Sequence, residues 1–283
     1  MKIIFNNDNR IFTLFCLLNK IGYDSENNSA MHPLRQKIRR ELSASKNNLP
    51  NFEALFRKYH QSQILEAFLH FSEFPEFILK TEKWQTTLPK IQFLKAVPEI
   101  RNFYSKNNIA NLYKNSQSIY NKKIKAIKQS VQDDIKKTFS FFQIKTSVKQ
   151  IVLIPNFLDA YWRGYGPSIN DLQYIIFGHC KTLDKFKFLI RHEFLHGLIN
   201  PRIDRRIIII ANKLRRQMLL SENFKKQSYQ QKQIIINEYI VRGLNLIYIE
   251  NNYKKNIKEL IAKEKQKGFI LIKSAIKEIK KFK

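Results

Sequence analysis

One stretch of this 283-residue chain combines residue types and a spacing that specify a chemistry: His192-Glu193-Phe194-Leu195-His196. Residues four apart on an α-helix are separated by about 40° around the axis and about 6 Å along it, so the two imidazoles converge on one metal ion. Glu193 is rotated by about 100° from His192, which turns its carboxylate toward water on the ion rather than into the ligand set. The bland alternative is a pair of helix-face histidines beside an acid. With 6 histidines in the chain, chance supplies an H-E-x-x-H on the order of one time in a hundred.

A hydrolytic zinc site takes three protein ligands and keeps a fourth position for water, so a further donor is required. No histidine follows His196, and Arg202 stands six residues beyond it, where a third histidine ligand would fall in one known extension of the motif. The carboxylates downstream are Asp204, Glu222, Glu238, Glu250 and Glu259. Glu238 stands out because it interrupts an apolar run, Ile234-Ile235-Ile236-Asn237-Glu238-Tyr239-Ile240-Val241, where a carboxylate is costly without a metal or a cation. Arg242, one turn on, offers the cation, and both roles can hold together if Arg242 supports a ligating Glu238. Tyr239, Arg242, Tyr248 and His179 are the candidate donors to a developing oxyanion. His32, His60 and His70 show no ligand spacing and read as structural or surface residues.

Helical spacing of apolar residues predicts helices at about 8–21, 33–44, 51–59, 62–80, 89–104 and 108–139. Near residue 142 the period changes, and Phe142, Ile144 and then Ile151-Val152-Leu153-Ile154 read as strands. The Tyr161–Pro167 segment, with Gly164 and Gly166, reads as a shaped loop. Tyr174-Ile175-Ile176-Phe177 reads either as an edge strand that an extended substrate could join or as a core strand buried on both faces. A helix over 184–199, with Thr182 or Asp184 as N-cap, carries the motif, and further helices are expected at about 203–219, 228–250, 254–266 and 270–282. The expected fold class is α+β and mostly helical, with a helical region over 1–141 and a catalytic region over 142–283, or the two as one continuous domain.

His192 to His196 with a glutamate ligand from a later helix resembles the gluzincin class of zinc metallopeptidases. More narrowly, Arg191 to Pro201 and Asn237-Glu238-Tyr239-Ile240-Val241-Arg242-Gly243 resemble a poorly characterised bacterial family of peptidase-like proteins catalogued as a domain of unknown function. Asp8-Asn9-Arg10, Asn19 to Tyr23 and Lys267-Gly268-Phe269 are similar to it as well, so the likeness spans most of the chain. The resemblance implies a zincin-like catalytic region, Zn²⁺ held by His192, His196 and Glu238, Glu193 as general base, and a peptide or protein substrate. Gly243 stands where that pattern has alanine.

Composition bounds the rest. Hydrophobic residues make up 43% with only 7 Gly and 8 Pro, which excludes a largely disordered or fibrous chain. No stretch reaches the roughly 20 apolar residues needed to span a bilayer, and the N-terminal apolar run lacks a small-residue cleavage site, so a cytoplasmic location is expected. Cys16 and Cys180 are too few and too far apart for a disulfide scaffold or a paired metal site. Lys plus Arg is 51 against 23 for Asp plus Glu, a formal charge of +28. That charge raises the competing function, a basic nucleic-acid-binding protein with a structural or vestigial zinc site, although no nucleic-acid motif accompanies it and joint richness in Lys, Asn and Ile also fits a coding bias.

Overall fold

The computed structural model describes residues 1–23, 31–43, 48–80, 83–161, 163–199, 205–220, 232–254 and 256–281. The fold is α+β and mostly helical, with a small mixed sheet. Contacts divide the chain into two compact units, Met1–Gln129 with Lys149–Leu189, and Ser130–Val148 with Ile190–Lys283. The expected change of character near residue 142 is therefore not where the contacts group the chain, because the strands that follow it pair with the chain's opening residues.

The first unit holds the sheet. β1 (Lys2–Phe5) pairs in parallel with β2 (Gln150–Pro155), and β2 pairs in parallel with β5 (Leu172–Phe177). β3 (Gly164–Tyr165) and β4 (Ser168–Ile169) pair antiparallel with β5 in one register, from Gly164 opposite Phe177 to Ile169 opposite Leu172. Between them the Pro167 carbonyl accepts from the Tyr174 N–H at 2.9 Å, so the two short strands are one edge strand interrupted at Gly166-Pro167. Asn170, at φ 57°, makes the tight turn into β5.

One expectation changes here, and one pair of alternatives is decided in favour of the core strand. The segment containing Gly164, Gly166 and Pro167 does not act only as a loop, since an edge strand tolerates a proline that lacks a ladder N–H. Tyr174–Phe177 is not a sheet edge: β5 is paired on both sides, and Ile175, Ile176 and Phe177 are buried as a central strand requires.

Around the sheet stand α1 (Asn9–Lys20), α2 (Pro33–Ser43), α3 (Pro50–Lys58), α4 (Gln61–Leu69), α5 (Lys90–Lys106) and the first part of α6 (Ile109–Phe142). Asp8 caps α1 through the N–H groups of Arg10 and Ile11 and also pairs with the Arg10 guanidinium, which donates to the carbonyls of Leu69 and Phe71. The helix expected over 62–80 stops at Leu69. Beyond it Phe71, Phe74 and Phe77 keep an apolar three-residue spacing, but they stack on one another in a turn whose backbone at Phe74 is held by the Asn9 amide. Phe142 ends α6 rather than starting a strand, and Ile144 lies outside any strand.

The second unit is helical: the last turns of α6, most of α7 (Leu183–Ile199), α8 (Arg205–Leu220), α9 (Lys232–Tyr253), α10 (Ile257–Gln266) and α11 (Ile272–Lys280). α11 packs against α9 at Gly243, where a Cβ would stand 2.7 Å from Ile279 Cδ1, the mobile end of a side chain, so the alanine of the family pattern needs only a small shift of Ile279. No described helix is long and apolar enough to cross a membrane.

Gly178 ends β5 in a tighter place, where a Cβ would meet the Ala160 carbonyl oxygen at 2.7 Å and the Arg163 carbonyl oxygen at 3.1 Å. Both obstacles are backbone. Gly178→Ala is expected to lower the unfolding free energy by about 1–3 kcal/mol, the usual cost of overpacking, as measured by denaturant titration.

Candidate metal centre

Thr182 starts α7: its hydroxyl accepts from the Lys185 N–H and its carbonyl from the Phe186 N–H, which decides between the two expected caps. Ile190, Phe194, Leu195, Leu198 and Ile199 bury the motif-bearing part of the helix. His192 and His196, one turn apart, present their Nε2 atoms 3.2 Å from each other with ring planes at 82°. Glu238 of α9 meets both, Oε1 lying 3.0 Å from His196 Nε2 and Oε2 3.6 Å from His192 Nε2.

Among the described residues these three are the only group of metal-ligating side chains that converges, with ligand atoms all within 4.8 Å of one another. Four ligands at about 2.0–2.1 Å around a tetrahedral zinc stand about 3.3–3.4 Å apart, close to the separations of 3.2, 3.0 and 3.6 Å found here. The donor set fits a zinc ion with one position left for a fourth ligand. The side chains of His192, His196 and Glu238 keep 11%, 17% and 25% of their surface exposed, so none of the three is sealed from solvent.

Glu238 is also paired with Arg242, whose Nε donates to Oε2 at 3.0 Å, so ligand position and ion pair coexist as the sequence allowed. Burial works to raise the Glu238 carboxyl, but hydrogen bonds and charge from His192 and His196 outweigh it and hold the group far below the ordinary carboxylate range. His196 is raised despite its burial by the hydrogen bond to Glu238 and by the charges of Glu193 and Glu238. Glu193 is buried and takes no part in the converging set. Burial raises its carboxyl, the two imidazoles and Arg242 oppose that shift, and Glu238 adds to it.

The remaining expected residues lie elsewhere. Glu250 pairs with Lys280 at 2.8 Å, and Glu259 is exposed on α10. Asp204 and Glu222 fall outside the described residues. Tyr248 donates to Asp134 at 3.3 Å, the Tyr239 hydroxyl accepts from the Leu271 N–H at 3.4 Å, and Arg242 is directed at carboxylates. His179 belongs to the first unit, where its ring lies against His32, Tyr161 and Phe186. The Nδ1 atom of His192 is buried without a hydrogen-bond partner, unlike most metal-bound histidines, whose second nitrogen is held by a carboxylate or carbonyl.

Support comes instead from the residue before it. Arg191 is 2% exposed and reaches Asp134 of α6 through Nη1 at 2.7 Å and Asn245 of α9 through Nε at 2.6 Å. Its guanidinium lies over the Tyr248 ring, 4.7 Å from the centroid, and Tyr253 donates to the other oxygen of Asp134 at 2.9 Å. Asn245 is two turns beyond Glu238, so α7 and α9 run antiparallel and are joined at two levels on one face of α9. Asp134 and Asn245 were not singled out from sequence; a polar residue at a buried position of each helix, charged in Asp134 and neutral in Asn245, was the available signal.

Arg191→Met leaves Asp134 buried without its charged partner and is expected to lower the unfolding free energy by about 3–5 kcal/mol. Arg191→Lys, which keeps the charge and loses the fork, should cost less in the same urea titration. No protein-family model, no curated protein and no solved structure matches this chain.

Proposed function

We propose that the chain is a zinc-dependent peptidase in which His192, His196 and Glu238 hold the ion and Glu193 is the general base. One observation carries this reading: a His-His-Glu set with zinc-like spacing converges, while the glutamate next to the first histidine stays buried and outside it. Bound zinc supplies a Lewis acid that brings the pKa of its water toward neutrality and polarises a carbonyl.

The chain's own groups do the rest. The two imidazoles and one carboxylate give the site a single negative charge, leaving an ion bound there with net positive charge. Burial raises the Glu193 carboxyl, the direction that suits a general base toward water. Arg242 takes one oxygen of Glu238, which restricts how that carboxylate can turn.

Purified protein is expected to contain about one zinc per chain by elemental analysis. Glu193→Gln should retain the metal and lose about 10²–10⁴-fold in peptide hydrolysis, the usual contribution of a positioned general base. Wild-type turnover in that variant would refute the mechanism. Glu238→Ala should weaken zinc binding beyond the roughly 10–100-fold that loss of a supporting residue costs, as read by chelator competition. An unchanged affinity would move the third ligand to another residue.

A further inference from the structure

α10 turns Ile257, Leu260 and Ile261 partly inward, and its one fully buried residue is a carboxylate, Glu264, at 4% exposure. A helix whose inward position is an acid is not docked by the hydrophobic effect at that point. A buried carboxylate needs charged partners, and Glu264 has two. Arg242 Nη1 donates to its Oε2 at 2.6 Å, and Lys267 Nζ donates to its Oε1 at 2.6 Å.

Arg242 thereby links two carboxylates with different donors of one rigid fork, Nε to Glu238 and Nη1 to Glu264. The Phe269 ring lies against its flat face, 3.9 Å from centroid to guanidinium carbon, and that ring is set edge-on to Tyr239, the neighbour of Glu238 in sequence. The guanidinium is held by two anions and an aromatic face.

The segment Lys267-Gly268-Phe269 assembles this arrangement. The Phe269 N–H donates to the Glu264 carbonyl at 3.0 Å and the Gly268 N–H to the Lys265 carbonyl at 2.9 Å, the two bonds of a Schellman ending. Gly268 has φ +95° and nothing within 4 Å of where a Cβ would be, so conformation and not space requires glycine. The same turn that ends α10 sends Lys267 back to Glu264 and Phe269 under Arg242. Lys267, Gly268 and Phe269, which the family resemblance included without a role, have one here.

We infer that Glu264 is a positioning residue of the metal site: by holding Arg242 it aims one oxygen of Glu238 at the ion. The inference rests on the reading of His192, His196 and Glu238 as zinc ligands. Glu264 also divides the positive charge. Without it, the Arg242 fork is free to close on both oxygens of Glu238 and to compete with the metal for them.

Zinc affinity measured by chelator competition tests this on the full chain, comparing wild type with Glu264→Gln, Arg242→Lys and Glu259→Gln, an exposed acid on the same helix. Glu264→Gln is expected to bind zinc about 10–100-fold more weakly although it removes no ligand, and Glu259→Gln should bind as wild type. The visible absorption of the Co²⁺-loaded protein should shift in Glu264→Gln and in Arg242→Lys, a response that a loss of stability alone would not give. If Glu264→Gln does not fold, Arg242→Lys carries the same two readouts with the charge retained. Wild-type affinity and an unshifted Co²⁺ spectrum in the folded variants would overturn the inference while leaving the ligand set intact. Absence of zinc binding by the wild type would overturn the ligand set, and the inference with it.

Discussion

A buried guanidinium sets the frame on which the metal site depends. Arg191 sits one residue ahead of the first histidine, and its two nitrogens are committed to side chains of α6 and α9. An arginine in the interior is tolerated only when its charge and its donors are met, and the partners that meet them fix where its helix can lie. α7 can neither slide along α9 nor turn about its axis without breaking a charged hydrogen bond. The imidazoles next to it inherit that rigidity.

The ligand cluster obeys the same logic with smaller margins. Two imidazole nitrogens 3.2 Å apart and a carboxylate 3.0 Å from one of them form an arrangement that needs a proton or a cation to be stable. Arg242 supplies part of that charge at Oε2 of Glu238, leaving Oε1 to His196. Charge alternates outward from the cluster, Glu238, Arg242, Glu264, Lys267, so both of these carboxylates have a cation on at least one side. In a chain with a formal charge of +28, acids are scarce, and two of the buried ones, Glu193 and Glu264, stand here.

Much of the site was legible in the sequence because its ligands combine local spacing with chemical incongruity. The histidines are four apart on one helix, and Glu238 betrays itself by breaking an apolar run. Glu264 was hidden for the opposite reason: in Lys263-Glu264-Lys265 an acid between lysines reads as a solvated, ion-paired surface, and nothing local says that α10 turns that residue inward. β1 was missed because four residues carry too little pattern, its pairing being decided by a strand far along the chain. The overlong helix at 62–80 had correct apolar spacing, but the phenylalanines after Leu69 satisfy it by stacking in a turn. Segments were read well where the deciding interactions were near in sequence, and poorly where a distant partner decided.

The pairing of β1 with β2 has a consequence in time. Lys2 lies opposite Gln150, so at synthesis rates of about 5–20 residues per second the first strand emerges roughly 7–30 s before its partner exists. Until then Lys2–Phe5 is a short apolar ribbon with both backbone edges unpaired, and its two charged or polar ends, Lys2 and the Asn6-Asn7 that follow, are what keep such a ribbon from pairing with another chain. The first unit is closed late in synthesis by residues that connect to the chain's opening, and a nascent chain halted before residue 150 would hold a helical body whose sheet has not begun.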